Sequence, residues 1–317
     1  MKTYEMSDEE KEFLAGYDLT KYDRPSVAAD VVVFSVMKDD ECEDVRRLQE
    51  KKLKILLIRR GGFPYKGSWA MPGGFCRKGE DVIDSARREL CEETGIDDAY
   101  VKLVGVYGEP DRDPRGWVIS STYMALMNGR DCRLKAGDDA QDARWFTVEL
   151  TDVSTEVTEA AEVSGIGVEI VKNEVEASHE VQNVKRYRLV LKNADSDIKL
   201  TAVLRRTDMS SCGRSSDSYD IEECEGLAFD HARIITEAVL GLREDVRRDM
   251  ELAFDLLPER FTLTELQNVY EQIWDMELTT PNFRRKIAEY VEETDAYQSG
   301  ERYRPAKLFM RRKDARK

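Results

Sequence analysis

The chain has 317 residues, of which 41% are hydrophobic, so it is long enough for two domains with packed cores. Its formal net charge of −15 excludes a globally basic nucleic-acid-binding protein, and any contact with DNA must come from a local basic patch. The two histidines, His179 and His231, do not have ligand spacing, and the six cysteines form no CxxC pair, so neither zinc chemistry nor a disulfide scaffold is indicated.

The first part of the chain is predicted to be a strand-rich domain around one strong helix. Apolar, β-branched runs predict strands over residues 27–36, 54–59, 101–107, 117–127 and 143–148. Residues 80–94 have the spacing of a helix. The N-terminus has no signal-peptide layout and no apolar run of about 18 residues occurs, so we expect a cytoplasmic protein that does not contact membranes. The order of elements predicts an α/β or α+β fold.

The middle of the chain, residues 151–225, differs from the segments around it. Short strand-like runs alternate with polar spacers, which predicts an inserted β-rich segment of extra hairpins. Within it, residues 207–220 (TDMSSCGRSSDSYD) have the composition of a loop or a disordered segment. An amphipathic helix over 227–242 is expected to close the first domain. We therefore expect two domains, 1–248 and 249–317.

The C-terminal unit is predicted to be small and mainly helical. Thr262 and Glu265 have the spacing of a capping box that opens a helix. Thr280 followed by Pro281 marks a second helix start, and residues 297–310 are predicted to form a hairpin. Residues 281–317 carry 11 basic and 6 acidic side chains, a net of +5, so 1–280 carry 38 basic and 58 acidic, a net of −20. A solvated basic tail is the alternative to a binding surface.

One motif carries most of the functional information. Residues 74–96, GFCRKGEDVIDSARRELCEETGI, match G-x5-E-x7-R-E-U-x-E-E-x-G-U, where U is a bulky apolar residue. Glu89, Glu92 and Glu93 are spaced i, i+3 and i+4, so they share one helix face and repel one another unless a cation neutralises them. Hard oxygen ligands suit Mg²⁺ or Mn²⁺. Arg88 is expected to orient these carboxylates together with Glu80, the alternative being a surface ion pair.

This arrangement indicates hydrolysis of a diphosphate. Cations would bridge its two phosphates and acidify a water molecule that attacks phosphorus. A nucleoside diphosphate linked to a group X would then be split into a nucleoside monophosphate and an X-phosphate.

Residues 74–96 resemble the signature of the Nudix hydrolase family. The resemblance implies the Nudix fold, an α/β/α sandwich with a mixed sheet between helices. It also implies that Glu92 and Glu93 are metal ligands, that Glu89 is a further ligand or a base, and that the carbonyl of Gly73 is an additional ligand.

A narrower resemblance covers residues 24–150 and 226–312. It rests on RPSV (24–27), WAMPGGF (69–75), DRDPRGWVISSTYMAL (111–126), DDAQDARWF (138–146), LAFDHARII (227–235), LLPERFTLTELQNVYEQIW (256–274) and PNFRRKI (281–287). These segments resemble the Nudix-related NrtR regulators of NAD metabolism and their ADP-ribose-hydrolysing relatives. The resemblance implies ADP-ribose as ligand, a C-terminal winged helix and a homodimer; the insertion at 151–225 departs from it.

Candidate substrate-binding residues lie outside the motif. Arg112 and Arg115 suit phosphate and ribose oxygens, the alternative being salt bridges with Asp111 and Asp113 that stabilise the loop. Trp69 could stack on adenine, as could Phe75, or belong to the core. Asp138, Asp139 and Asp142 are weak candidates for an extra base.

In the second domain, a winged helix would place Asn282, Arg284, Arg285 and Lys286 on DNA, with Arg311 and Arg312 near the wing. The alternative is a domain that mediates only dimerisation or protein contact. The leading hypothesis is a Mg²⁺-dependent pyrophosphohydrolase of ADP-ribose or a related nucleotide, favoured by the intact motif. The second is an ADP-ribose-sensing repressor, bound to operator DNA, with weak or no hydrolysis.

Overall fold

The computed structural model describes residue 4 and residues 6–38, 51–97, 99–129, 140–160, 180–211, 214–300 and 303–312. The helices are α1 (Asp8–Ala15), α2 (Val82–Thr94), α3 (His231–Arg248), α4 (Leu263–Trp274) and α5 (Thr280–Ile287). The strands are β1 (Ser26–Lys38), β2 (Lys51–Arg60), β3 (Trp69–Ala70), β4 (Gly73–Phe75), β5 (Tyr100–Tyr107), β6 (Val118–Leu126), β7 (Ala140–Ala160), β8 (Glu180–Asn193), β9 (Ile198–Ser211), β10 (Arg214–Glu225), β11 (Val291–Gly300) and β12 (Tyr303–Arg311).

Ten of these strands form one mixed sheet in the order β10-β9-β8-β7-β2-β1-β6-β5. The short strands β3 and β4 pair with β2 and β1 off this path. β1 and β6 are parallel, and the other named pairs are antiparallel. This confirms the predicted α/β architecture. The described helices include none that is both long enough and apolar enough to span a membrane.

The two faces of the sheet are covered by different helices because side chains along a strand alternate in direction. On β1, Val31 and Val33 pack into the cluster that contains Ala86 and Leu90 of α2. Val32 and Phe34 face the other way, into the larger cluster that contains most of the buried face of α3. A continuous apolar run therefore forms a strand buried on both sides, as the sequence predicted for residues 27–36.

The inserted segment extends the sheet. β7 continues past residue 151, and β8, β9 and β10 add to it in antiparallel order, which confirms the β-rich insertion. Leu189, Leu191 and Leu204 place their side chains in the α3 cluster. The prediction of a loop over 207–220 is wrong: β9 reaches Ser211 and β10 begins at Arg214. These polar strands form because their backbone groups pair with β8 and with each other, so an apolar face is not required.

The C-terminal unit consists of α4, α5 and the antiparallel hairpin β11–β12, which is the winged-helix arrangement. The predicted capping box is present: Thr262 and Glu265 bond to each other's backbone amides at 3.1 and 3.0 Å. The N-cap of α5 is Thr279, one residue earlier than expected. α4 and α3 share one core cluster, and Lys51 of β2 forms a salt bridge of 3.0 Å with Glu265, so the unit packs directly on the sheet domain.

Candidate functional site

The helix α2 carries the motif and is defined by its caps. The Asp81 side chain accepts a hydrogen bond from the Ile83 amide at the start, and Gly95 ends the helix with a left-handed φ of 78°. Ala86 and Leu90 are buried against the sheet. The remaining face directs Glu89 and Glu93 towards β4, so burial of the apolar stripe determines where these acidic side chains lie.

Glu93 is the most perturbed of these carboxylates. Its Oε2 accepts a hydrogen bond of 2.8 Å from the Gly73 amide. Burial raises the pKa of Glu93 to about 8; the Gly73 hydrogen bond opposes this shift, and the nearby carboxylates of Glu89 and Asp30 add to it. A carboxyl group of this kind gains stability when a cation replaces its proton.

Two adjacent glycines let β4 approach the helix closely. A Cβ atom on Gly74 would lie 2.6 Å from Cδ of Glu89. A Cβ atom on Gly73 would lie 2.6 Å from the carbonyl oxygen of Ala29. Only glycine fits at these positions without displacing backbone or a carboxylate. The pair therefore brings the Gly73 backbone to Glu93 and leaves room for the Glu89 carboxylate.

Arg88 connects three glutamates of the motif. Its Nε and Nη2 bond to the two Glu80 carboxylate oxygens at 2.7 and 3.0 Å, and its Nη1 bonds to Glu89 at 2.6 Å and to Glu92 at 3.0 Å. The hydrogen bonds from Arg88 are the main reason that the pKa of Glu80 falls to about 2. The Arg88 side chain is only 15% exposed, which distinguishes it from an ordinary surface ion pair. The geometry supports the orienting role predicted for Arg88.

The three metal-ligand candidates do not converge on one point. Glu92 is 47% exposed and pairs with Arg77 at 3.2 Å as well as with Arg88, whereas Glu89 and Glu93 face the glycine pair. Over the described part of the chain, no group of three or more ligand side chains is placed to hold an ion. The donors fit a hard ion that completes its shell with water and substrate oxygens, which is the usual behaviour of Mg²⁺. The exposed pair of Glu92 with Arg77 is of the weak kind, about 0–1 kcal/mol, and can exchange for a cation.

A small cleft of about 70 Å³ opens beside the glycine pair, so a nucleotide would fill it and extend over its rim. It is lined by Ala28, Asp30, Arg60, Met71, Gly73, Gly74, Phe75, Arg112, Asp113, Arg115, Val118, Phe229 and His231. The structure therefore brings both predicted arginines to the cleft beside Gly73 and Gly74, although they lie far from these glycines in the sequence.

Both predicted arginines are paired with carboxylates. Arg112 forms a two-pronged pair with Asp230 at 2.9 and 2.8 Å, and its side chain is 7% exposed. Arg115 pairs with Asp113 at 2.7 Å, which is the loop-stabilising pair that the sequence left open. The Arg115 guanidinium also lies 4.7 Å from the ring centre of Phe75.

The aromatic candidates separate clearly. Trp69 is 4% exposed and packs edge-on against Phe146, with ring centres 4.8 Å apart. The structure thus places Trp69 in the core, as the alternative had it. Phe75 is 41% exposed at the cleft and presents the accessible ring.

Sequence reasoning missed three cleft residues. Asp30 is buried in β1 and accepts a hydrogen bond from the Ser120 hydroxyl; a charged residue inside an apolar strand was the available signal. His231 is buried at the start of α3, its Nδ1 accepts the Met71 amide at 3.0 Å, and burial lowers its pKa. No local sequence feature around Arg60 predicted that it would line the cleft. Of the candidate extra bases, Asp142 pairs with Arg144 at 2.6 Å, and residues 138 and 139 lie outside the described residues.

The DNA-binding candidates lie together on one side of α5. Asn282, Arg284, Arg285 and Lys286 are exposed, while Phe283 and Ile287 are buried. Among the described residues, none of the three cations has a carboxylate partner within salt-bridge distance. Arg311, predicted near the wing, ends β12, and its side chain pairs with Glu251 and, at 3.5 Å, with Asp255. The basic face of α5 is thus left open to solvent.

Comparison with known proteins agrees with the division of the chain into a sheet domain and a C-terminal winged helix. Residues 44–164 match the NUDIX domain, and residues 253–310 match the NrtR DNA-binding winged helix domain. The ADPR responsive transcriptional repressor NtrR of Acinetobacter baylyi is 29% identical over 95% of this chain and 87% of its own length. The ADP-ribose pyrophosphatase of Methanocaldococcus jannaschii is 42% identical over 43% of this chain and 72% of its own length.

Solved structures show the same architecture along most of the chain. A MutT/nudix family protein from Enterococcus faecalis has a TM-score of 0.58 with 25% identity, covering 98% of this chain and all of that one. Shewanella oneidensis NrtR complexed with a 27mer DNA has a TM-score of 0.54 with 23% identity, covering 90% and 93%. The chain therefore belongs to the Nudix family, as a Nudix domain followed by an NrtR-type winged helix domain.

Proposed function

We propose that this protein is a Mg²⁺-dependent pyrophosphohydrolase that cleaves ADP-ribose or a related nucleoside diphosphate derivative. The observation that carries the proposal is the buried Glu93 carboxyl, whose pKa is raised to about 8 beside Glu89 and Asp30 at the edge of an arginine-lined cleft. Perturbed carboxyl groups in clefts are typical of catalytic sites. ADP-ribose is the leading substrate because the 42% identical relative is an ADP-ribose pyrophosphatase.

In this proposal each group of the motif has one task. Glu89, Glu92, Glu93 and the Gly73 carbonyl would hold Mg²⁺, which supplies charge neutralisation for the diphosphate and an acidified water. Arg88 positions Glu89 through its hydrogen bond of 2.6 Å. The cleft binds the substrate, and the products are a nucleoside monophosphate and an X-phosphate. The Nudix unit comprises residues 1–248 and the winged helix 249–317.

The test is ADP-ribose turnover with Mg²⁺ in wild type and Glu93→Gln. We expect release of AMP and ribose 5-phosphate to fall by orders of magnitude in the variant, because glutamine is a poor ligand for a hard cation. Glu149→Gln is the matched control, because Glu149 lies on β7 outside the cleft and forms an exposed salt bridge with Lys192. Equal rates in wild type and Glu93→Gln would remove the catalytic assignment.

A second function, ADP-ribose-sensing regulation of transcription, is favoured by the connection between the cleft and the winged helix. The Arg112–Asp230 pair lies at the start of α3. Towards its other end, Arg243 donates to the Ile273 carbonyl of α4 at 3.0 Å, and the Trp274 indole donates to the Arg243 carbonyl at 3.2 Å. An 18-residue helix is about 27 Å long, so α3 runs as one element from the cleft to its contacts with α4 of the winged helix.

A mobility-shift assay on the gene's own upstream DNA tests this function, with EDTA present so that ADP-ribose is not consumed. We expect a shift at low salt that ADP-ribose weakens, and a smaller shift for Arg284→Gln than for the control Lys192→Gln. Both variants remove one positive charge, but only Arg284 lies on α5. The absence of any shift by wild type at low salt would count against DNA binding.

A further inference from the structure

Arg60 is one of three arginines that line the cleft, and its hydrogen-bond partners differ from those of Arg112 and Arg115. It ends β2 and lines the cleft, and the structure records no carboxylate within salt-bridge distance of it among the described residues. Its Nε donates to the Pro64 carbonyl at 2.9 Å. Arg112 and Arg115, by contrast, each form a two-pronged pair with an aspartate. The guanidinium of Arg60 is therefore the one available to an incoming anion.

The environment of Arg60 disfavours its charge. Burial lowers its pKa, and the positive charge of Arg115 lowers it further. Both guanidinium groups lie over the same ring, that of Phe229, at 4.9 and 5.5 Å from its centre. A half-buried guanidinium group that is near a second positive charge is stabilised when an anion binds to it.

The backbone holds this arrangement in place. Phe229 has a left-handed φ of 51°, a conformation that bulky residues rarely adopt. Its ring packs against Tyr65, with centres 4.7 Å apart, and Tyr65 also has a left-handed φ of 57°. Such strain persists where the surrounding structure requires it, and it clusters at binding sites. Here it keeps the Phe229 ring in contact with the guanidinium groups of Arg60 and Arg115.

Arg60 also lies within the electrostatic reach of the carboxylate helix. The carboxylates of Glu93 and Asp30 both act on its pKa, in the direction opposite to burial. An anion bound by Arg60 is consequently adjacent to the place where the carboxylates would hold a cation. This is the position that a diphosphate requires, with one phosphate towards the carboxylates and the other towards a guanidinium group.

We propose that Arg60 binds a phosphate of the diphosphate substrate and selects for ligands that carry that phosphate, whereas Arg112 and Arg115 keep the cleft in shape. The ligand class is a nucleoside diphosphate derivative, so the inference rests on the proposed hydrolase function. Phosphate recognition by a guanidinium depends on charge and on parallel N–H donors, which lysine reproduces only in part.

The experiment measures binding of ADP-ribose, UDP-glucose and adenosine by calorimetry in EDTA for wild type, Arg60→Gln and Arg60→Lys. The control is Arg59→Gln, which removes the same charge from the preceding residue of β2, where the side chain is exposed and donates to the Gly67 carbonyl. We expect Arg60→Gln to weaken binding of the diphosphates about 10- to 100-fold, with smaller effects of Arg60→Lys and none of Arg59→Gln. Adenosine binding is expected to be unchanged in all variants.

Steady-state kinetics on the same proteins give a second measurement. We expect KM for ADP-ribose to rise in Arg60→Gln by a factor similar to the loss of binding, with a smaller change in kcat. The inference is overturned if Arg60→Gln binds the diphosphates as wild type does, or if it loses adenosine to the same extent. If wild type binds ADP-ribose without hydrolysing it, the proposed hydrolase activity is wrong, but phosphate binding by Arg60 still stands. No binding of either diphosphate by wild type would overturn both.

Discussion

Replacing Glu93 by glutamine should have opposite effects on activity and on stability. The carboxyl group is largely buried and accepts a hydrogen bond from the Gly73 amide. A glutamine carbonyl oxygen can accept the same bond and never ionises. The variant should therefore lose the ability to hold a cation while it avoids the cost of a buried negative charge.

The size of the stability change follows from the pKa of Glu93, which is raised from 4.5 to about 8. Between these values the folded state keeps a proton that the unfolded chain has lost, so stability falls as the pH rises from about 4.5 and levels off above about 8. At pH 7 the cost approaches ~3 kcal/mol, from ~1.4 kcal/mol per pKa unit, and partial solvent contact reduces it to about 1–3 kcal/mol. This corresponds to a rise in Tm of roughly 2–10 °C for the variant.

Thermal unfolding of wild type and Glu93→Gln at pH 6 and pH 8.5, with EDTA or with Mg²⁺, measures this effect. In EDTA the variant should melt above wild type, by a larger margin at pH 8.5. Mg²⁺ should raise the Tm of wild type and not that of the variant, because a ligand stabilises only the protein that binds it. A variant that melts below wild type in EDTA at both pH values would refute the argument from buried charge.

Three further predictions concern neighbouring features. Arg88→Lys keeps the charge but loses the two hydrogen bonds to the Glu80 carboxylate, so turnover of ADP-ribose should fall while the protein still folds. Unchanged turnover would show that Arg88 does not position the carboxylates for catalysis. Mg²⁺ affinity, measured by calorimetry on EDTA-stripped protein, should rise from pH 6.5 to 8.5 because Glu93 must lose its proton to become a ligand, and a flat profile would contradict this. A double-mutant cycle of Lys51→Gln and Glu265→Gln should give a coupling of about 1–2 kcal/mol in unfolding free energy, because the two side chains are only 13% and 15% exposed. The absence of coupling would show that this salt bridge does not connect the domains.

Local features were predictable because their cause lies within a few residues of the chain. The spacing of Glu89, Glu92 and Glu93 and the apolar stripe opposite them predict the helix and the face that it buries, and the structure confirms both, whereas metal binding stays a prediction. The Thr262 capping box likewise predicts the start of α4, and the structure confirms it. The apolar run of β1 predicts a buried strand, which the sheet confirms.

Only the tertiary structure showed which distant groups meet. Arg112 pairs with Asp230, which lies 118 residues away in the sequence. Because this pair occupies the Arg112 guanidinium, our proposal assigns anion binding to Arg60. The polar strands β9 and β10 form through backbone pairing, which side-chain patterns do not reveal. Spacing along one helix is a property of the sequence, whereas burial and charge pairing depend on how distant segments pack, and the chemistry of the cleft depends on both.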